Sequence, residues 1–180
     1  MNQNIIIGAI VAIIIAGLGY GVYTQFAPQG RGEPTSQEET QNPNEMEIKV
    51  ALLDTTGEGK GPKRACDAIN MVTRTIPKTD APLNAALVQL FAEPEGAQPG
   101  TDYNFIARTK ETLKFDRVTI TDGIANIYLT GSLSGLAGIC DDPRAEIQLK
   151  ETALQFPTVT DVQIYLNDVK TNLTPVGQGS

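Results

Sequence analysis

The run Ile139 to Pro157, ICDDPRAEIQLKETALQFP, places a proline near its start and another at its end. A helix fits between two such prolines if the first lies in its opening turn and the second stops it. Asp142 before Pro143 has the signature of an N-cap followed by proline at the first helical position. Ala145, Leu149, Thr152, Ala153 and Phe156 recur at helical spacing, with Ile147 and Leu154 widening the apolar face. Gln148, Lys150, Glu151 and Gln155 fall largely opposite, on the side expected to meet solvent. A strand over Asp161 to Asn167 follows, in which Val162, Ile164 and Leu166 alternate with Gln163, Tyr165 and Asn167. Helix and strand are therefore expected to pack as one unit.

Composition narrows the chemistry. The chain of 180 residues has a formal charge of −7, and its 14 Lys and Arg form no stripe, which argues against nucleic acid as a partner. It has no His and no Trp, so the commonest general base, the commonest zinc ligand and the usual sugar-stacking ring are all missing.

Residues 1–4 form a short N-terminal tail. Ile5 to Tyr23 carries no charge and is long enough to cross a hydrocarbon core of about 30 Å, so 5–23 reads as a single transmembrane helix serving as a signal anchor. A cleavable signal peptide is the rival reading: Gly17, Gly19 and Gly21 offer small residues for cleavage, but the preceding MNQN lacks Lys and Arg. No Cys closely follows the segment, which excludes a lipoprotein. Gly17 and Gly21 also stand in a GxxxG arrangement that permits helix pairing, a weak signal because glycine is common in membrane helices. Residues 24–47, rich in Gln, Glu, Pro, Thr and Asn, have too little apolar surface to offset ordering entropy and are expected to form a disordered tether.

Folded sequence is expected from Ile48, where Ile48, Val50 and Leu52 alternate with polar or small residues. The stretch 54–65 matches neither a phosphate loop nor a calcium loop and reads as a mobile surface hairpin or loop. Cys66 to Val72 is strand-like, and Pro77 keeps the following segment extended. Thr79 or Asp80 is expected to cap a helix whose buried stripe is Leu83, Ala86, Leu87 and Leu90. Past the loop EPEGAQPG, Tyr103, Phe105 and Ile106 are expected to return to the core. Lys114 to Thr121 and Ile124 to Thr130 flank Asp122 and Gly123, the strongest short-range hairpin signal in the chain. Gly131 to Gly138 reads as a small-residue loop. Residues 169–180 read as a flexible tail, with Asn172, Leu173 and Thr174 matching a glycosylation triplet of low specificity.

Two cysteines at element edges, outside the membrane segment, suggest a Cys66 to Cys140 disulfide in an oxidising space; two buried free thiols are the other reading. Closing so long a loop would restrict the unfolded chain by about 4 kcal/mol. Asp141 and Asp142 are the tightest carboxylate pair in the folded part. A glycosidase needs two acids at a set separation, but adjacent aspartates at a helix start more often cap it. Ser132 and Ser134 have no His to activate them. No cofactor, metal or catalytic residue is expected.

The segments VTRTIPKTDAPLNAALVQLF at 72–91, VTITDGIANIYL at 118–129 and AEIQLKETALQFPTVTDVQIYLND at 145–168 follow one another in an order that resembles the GerMN domain, named for sporulation and germination proteins. Pro77, Lys78 and Thr79 match its extended lead into the first helix, and Gly123 and Ala125 its middle hairpin. Thr152, Leu154, Gln155, Phe156, Pro157 and Val159 match its closing run, with Ala153 inserted. The resemblance covers 48–168. It implies no catalytic residues and an envelope-bound binding or assembly role. The single copy here, where some sporulation members carry two, counts against a ring-assembly role.

The expectation is thus an α+β protein: a two-layer domain over 48–168 with a mixed or mostly antiparallel sheet of four to five strands and two helices on one face, preceded by the transmembrane helix. Its expected function is that of a non-enzymatic interaction module on the outer side of the cell membrane, single-pass, binding peptidoglycan or an envelope protein. The alternative is a cell-wall hydrolase using carboxylates such as Asp141 or Asp142, and a third reading is a spacer that oligomerises through its membrane helix.

Overall fold

A computed structural model of the chain describes residues 42–109, 111–133 and 140–173. In chain order the elements are β1 (Glu45–Asp54), β2 (Lys63–Arg64), β3 (Asp67–Pro77), α1 (Pro82–Ala92), α2 (Phe105–Thr109), β4 (Leu113–Thr121), β5 (Ile124–Gly131), α3 (Asp141–Leu154), β6 (Asp161–Leu166) and β7 (Val169–Thr171). The class is α+β, as expected, but the strands form two sheets instead of one. One is antiparallel with the order β1-β3-β2; the other has the order β4-β5-β6-β7, with β5 and β6 parallel and the remaining pairs antiparallel. Helix α3 is the crossover that a parallel β5/β6 pair requires. The proposed membrane segment 5–23 and the loop segment 134–139 lie outside the described residues. Among the described residues no helix is long and apolar enough to cross a membrane.

The reason for two sheets is visible along β1, whose outer edge is met by side chains and not by another strand. Lys49 N–H donates to Gln155 Oε1 at 2.8 Å, and Gln155 Nε2 donates to Lys49 O at 2.6 Å. Ala51 N–H donates to Thr152 Oγ1 at 3.0 Å, and Gln148 Nε2 donates to Ala51 O at 2.8 Å. At Leu53 a backbone bridge to Tyr103 takes over, 2.9 Å in both directions. Residues 49, 51 and 53 are the alternate positions whose amides point away from β3, and Gln148 and Thr152 of α3 and Gln155, its C-cap, are spaced i, i+4, i+7 along one stripe. The helix thus serves as a surrogate neighbouring strand. This corrects the placing of Gln148 on a solvent face: it is fully buried, and its Oε1 also accepts from Phe105 N–H and Ile106 N–H at the start of α2. Asn104, equally buried, accepts from Gln148 Nε2 and donates to Leu90 O and Glu93 O at the end of α1. The buried amides therefore link β1 to the ends of two helices, with every partner supplied internally.

Where α3 and the Tyr103 bridge cover it, β1 is wet on neither face: Val50, Ala51, Leu52 and Leu53 are all buried with Leu87, Leu90, Ile106, Ile127 and Leu149 in one core, whereas Glu45, Glu47 and Lys49 earlier in the strand are exposed. Several boundaries shift from the expected ones. The folded part begins at Glu45, not Ile48, because Glu45–Lys49 pair with Thr73–Pro77 and Met46 packs with Ile76 and Ala86. At the other end Val169–Thr171 form β7 against β6, and Leu173 is buried with its N–H donating to Glu146 Oε2, so the tail is ordered through 173. The residue before α1 is Ala81, without a side-chain cap; Thr79 accepts from Ala81 N–H one turn earlier. Helix α3 starts at Asp141 after Cys140, so Asp142 is not its N-cap. The 54–65 loop is pinned, with Asp54 accepting from Thr56 and with Thr55 bonded to Gly100 in both directions. The Asp122-Gly123 turn is as expected, both residues having φ near +51° and +80°, the type I′ conformation that matches strand twist.

Replacing Thr152 with Val preserves shape but leaves the buried Ala51 N–H without an acceptor. We expect Thr152→Val to lower stability by about 1–3 kcal/mol in urea unfolding with an unchanged m-value, and Thr152→Ser to restore most of it.

Candidate functional site

The strongest concentration of polar chemistry lies where the start of β3 meets the start of α3. Cys66 and Cys140 are joined there as a disulfide, 5.6 Å between Cα atoms and 74 residues apart in sequence, so of the two cysteine readings the paired one holds. The residues immediately after each cysteine are aspartates, Asp67 and Asp141, and Arg144 on the first turn of α3 reaches both. Its Nε and Nη2 donate to the two oxygens of Asp67 at 2.7 and 3.0 Å, and its Nη1 donates to Asp141 Oδ1 at 2.8 Å. Arg144, Asp67 and Asp141 are all buried. Arg108, at the end of α2, lies 3.7 Å from the second oxygen of Asp141. The Arg144 guanidinium sits 5.6 Å from the centroid of the Tyr103 ring. Tyr103 is fully buried, with its hydroxyl close to the Arg108 guanidinium but in no hydrogen bond of good geometry among the described residues; burial pushes its pKa up and Arg108 opposes the rise. Hydrogen bonding to Asp67 holds Arg144 more firmly protonated than a free guanidinium.

Two guanidiniums facing two carboxylates make a charge-balanced cluster, and the bidentate Arg144 geometry is that of a rigid clamp. Asp141, a candidate acid in the sequence, is thus consumed by the clamp, and the side chain of Asp142 lies outside the described ones. Ser132 closes the strand pairing near Gly131 through its N–H to Thr112 O and meets no base among the described residues; Ser134 lies outside them. Among the described residues no group of three or more His, Cys, Asp or Glu could hold a metal. Sequence reasoning missed Arg144 and Gln148. The signal available was their position on the same side of α3 as Ala145 and Leu149, where a polar residue must find partners.

Two further clusters face outward. On the open side of the four-stranded sheet the Arg117 guanidinium lies 3.9 Å from the Tyr128 ring centroid, and Tyr128 stacks on Tyr165 at 4.7 Å and 17°. Arg117 also pairs with Asp116 and, at 3.2 Å, with Asp168. The tyrosines thus cover each other's faces instead of presenting them to a ligand. At the end of α1, Arg74 holds Glu93 in a bidentate pair, both contacts 2.8 Å, with Gln89 adding a third bond at 2.7 Å. The Arg74 hydrogen bonds keep the Glu93 carboxyl below the usual carboxylate range. Two small clefts flank these clusters. One of about 260 Å³ is lined by Val88, Phe91, Leu113, Lys114 and Phe115, and one of about 210 Å³ lies between Glu146, Lys150, Gln163 and Lys170.

No protein-family model matches the chain, and no curated protein matches it. Among solved structures it is similar to the first GerMN domain of the sporulation protein GerM from Bacillus subtilis, at 16% identity over 73% of this chain and 90% of that one, with a TM-score of 0.49. It is also similar to the tandem GerMN domains of GerM, at 16% identity over 70% of this chain and 40% of that one, with a TM-score of 0.47. A Clostridium perfringens protein described as a lipoprotein matches at 14% identity over 70% and 77% of the two chains, with a TM-score of 0.39. The solved domains found include those of the family that the sequence motifs resemble.

Arg144→Met strands two buried carboxylates and is expected to destabilise the domain by about 3–5 kcal/mol, with the added change Asp67→Leu recovering part of the loss in thermal melts. For Arg74 the sign runs the other way with acid. A carboxyl held low in the folded state contributes stability above its unfolded pKa, and that contribution disappears as pH falls through the folded one. Arg74→Gln should therefore cost about 1.5–3 kcal/mol at neutral pH, with the difference from wild type closing well below the reference value of 4.5. Urea midpoints measured from pH 7 down to 3 check this.

Proposed function

We propose that this chain is a membrane-anchored, non-catalytic interaction module of the bacterial cell envelope, held outside the membrane by 5–23 and a tether, and binding peptidoglycan or an envelope protein in cell-wall assembly or sporulation. The observation that carries the reading is the Cys66–Cys140 disulfide, since such bonds persist in oxidising compartments and not in the reducing cytoplasm. The uncharged run Ile5 to Tyr23 supports it independently, because an anchor followed by a polar tether places a folded domain beyond the bilayer. The motif resemblance over 48–168 supports the same role. A carboxylate hydrolase is disfavoured because Asp141, one of the acids it would use, is bound by Arg144.

Two measurements test the proposal on the full-length chain. In intact cells, maleimide labelling before and after reduction should find both cysteines protected until a reductant is added; free thiols would move the domain to a reducing compartment and end the envelope reading. In detergent, the protein should co-sediment with purified sacculi in a manner that survives moderate salt. Lack of retention would remove peptidoglycan and leave an envelope protein as the partner, and clearing of a cell-wall zymogram would overturn the non-catalytic assignment.

A further inference from the structure

The amides of Asn104, Gln148 and Gln155, the Arg144 clamp and the Arg74–Glu93 pair are all spent on the protein itself. The cleft of about 210 Å³ between α3 and the β6–β7 hairpin differs. Lys150, Asp161, Gln163, Lys170 and Asn172 are among the residues that line it. Of these, the carboxylate of Asp161 and the ammonium of Lys170 have no hydrogen-bond or ion-pair partner among the described residues. The cleft at Val88, Phe91 and Phe115 is lined mainly by apolar side chains and holds no such pair of opposite charges.

The polar cleft arises because β7 is shorter than β6. Val169, Lys170 and Thr171 pair with Leu166, Tyr165 and Ile164, and beyond Thr171 the chain turns to α3, where Leu173 is buried with its N–H on Glu146 Oε2 at 3.1 Å. Glu146 acts as a strut, since its other oxygen accepts from Lys150 Nζ at 2.5 Å and holds that ammonium on the cleft wall. Side chains alternate along β6, so Asp161, Gln163 and Tyr165 share the face turned away from the buried Val162 and Ile164, and Lys170 stands beside Tyr165. Asp161 and Lys170 are thus four strand positions apart, roughly 13 Å between backbones, too far to neutralise each other. One cleft holds an unpaired acid toward one end and an unpaired base toward the other.

We infer, on the peptidoglycan reading above, that this cleft binds the peptide stem of the polymer, with a free stem carboxylate on Lys170 and Lys150 and the stem's side-chain amine on Asp161. The glycan strand is neutral and is held by ring stacking and hydroxyl hydrogen bonds, whereas this chain has no Trp and its Tyr128 and Tyr165 rings cover each other. Peptide stems carry the complement of the cleft: free carboxylates and an amine a few bonds apart on one extended backbone. Size agrees, because about 210 Å³ falls below the roughly 300–1,000 Å³ that encloses a drug-sized ligand and suits a residue or two of a peptide. Gln163 offers Nε2, its Oε1 being taken by the Tyr165 hydroxyl at 3.1 Å, and with the Asn172 amide it supplies neutral hydrogen bonds to the stem backbone. The Arg144 clamp and the buried amides take no part, so binding does not compete with the fold.

The test is isothermal titration of the full-length chain in detergent with a synthetic wall tetrapeptide, capped at its first residue so that its one free amine is on a side chain. The tetrapeptide should bind, and Lys170→Gln should weaken it about five-fold, whereas Lys78→Gln, the same change at an exposed lysine outside the cleft, should leave it unchanged. Amidating the tetrapeptide's carboxylates should weaken binding to a similar degree, and Lys170→Gln should then add nothing; acetylating its amine should stand in the same relation to Asp161→Asn. Circular dichroism melts confirm that each variant is folded. A tetrapeptide that does not bind overturns the proposal whether or not the chain is retained on sacculi, and that retention alone judges the peptidoglycan reading. Losses that simply add place the peptide elsewhere on the molecule and overturn it as well. An all-L peptide of the same charges that binds as tightly also overturns it, giving the cleft to the C-terminus of an envelope protein.

Discussion

Strand β1 cannot lie in the core unless the amides on its outer edge are bonded, and the structure depends on how that is done. Lys49, Ala51 and Leu53 each point an N–H and a C=O away from β3, and burying such groups unpaired costs on the order of 1–3 kcal/mol apiece. A neighbouring strand is the usual answer. Here a helix answers instead, through side chains at positions 148, 152 and 155, so the helix must sit at one height and one rotation against the strand. The Asp67 clamp on Arg144 and the Cys66–Cys140 bond secure the first turn of α3 to the start of β3, which is β1's own partner. Both ends of the helix are thereby referenced to the same hairpin. These contacts join residues 97 to 106 apart for the edge and 74 to 77 apart for the clamp, so they tie together segments that are remote in sequence.

This explains which parts of the fold were legible in sequence. The Asp122-Gly123 hairpin, the stripe of α1 and the alternation in β6 are local patterns whose cause lies within a few residues, and each was found in place. Gln148 and Gln155 are polar letters in a helical pattern, and the pattern alone assigns them to water. Their partners are backbone groups about a hundred residues earlier, which no periodicity reveals. The same blindness hid Arg144, a residue type that is almost never buried without a partner, because its partner Asp67 lies across the fold. Thr152 and Gln155 had stood out within the run that resembles the GerMN closing motif, and the structure shows what the two do there: both bond to β1.

The site was less legible than the fold, for a related reason. Pairs of acids and lone serines draw the eye as chemistry, yet Asp141 is held by a guanidinium and the buried amides of Asn104 and Gln148 are spent on the backbone. Most of the convergent polarity in the described residues is directed inward and holds the architecture together. At the surface the exposed Arg117 lies on the half-buried Tyr128, which in turn stacks on the half-buried Tyr165. A reaction centre needs polar groups aimed into a space that a substrate fills, and Asp141 and Gln148 are instead aimed at Arg144 and at the backbone of β1.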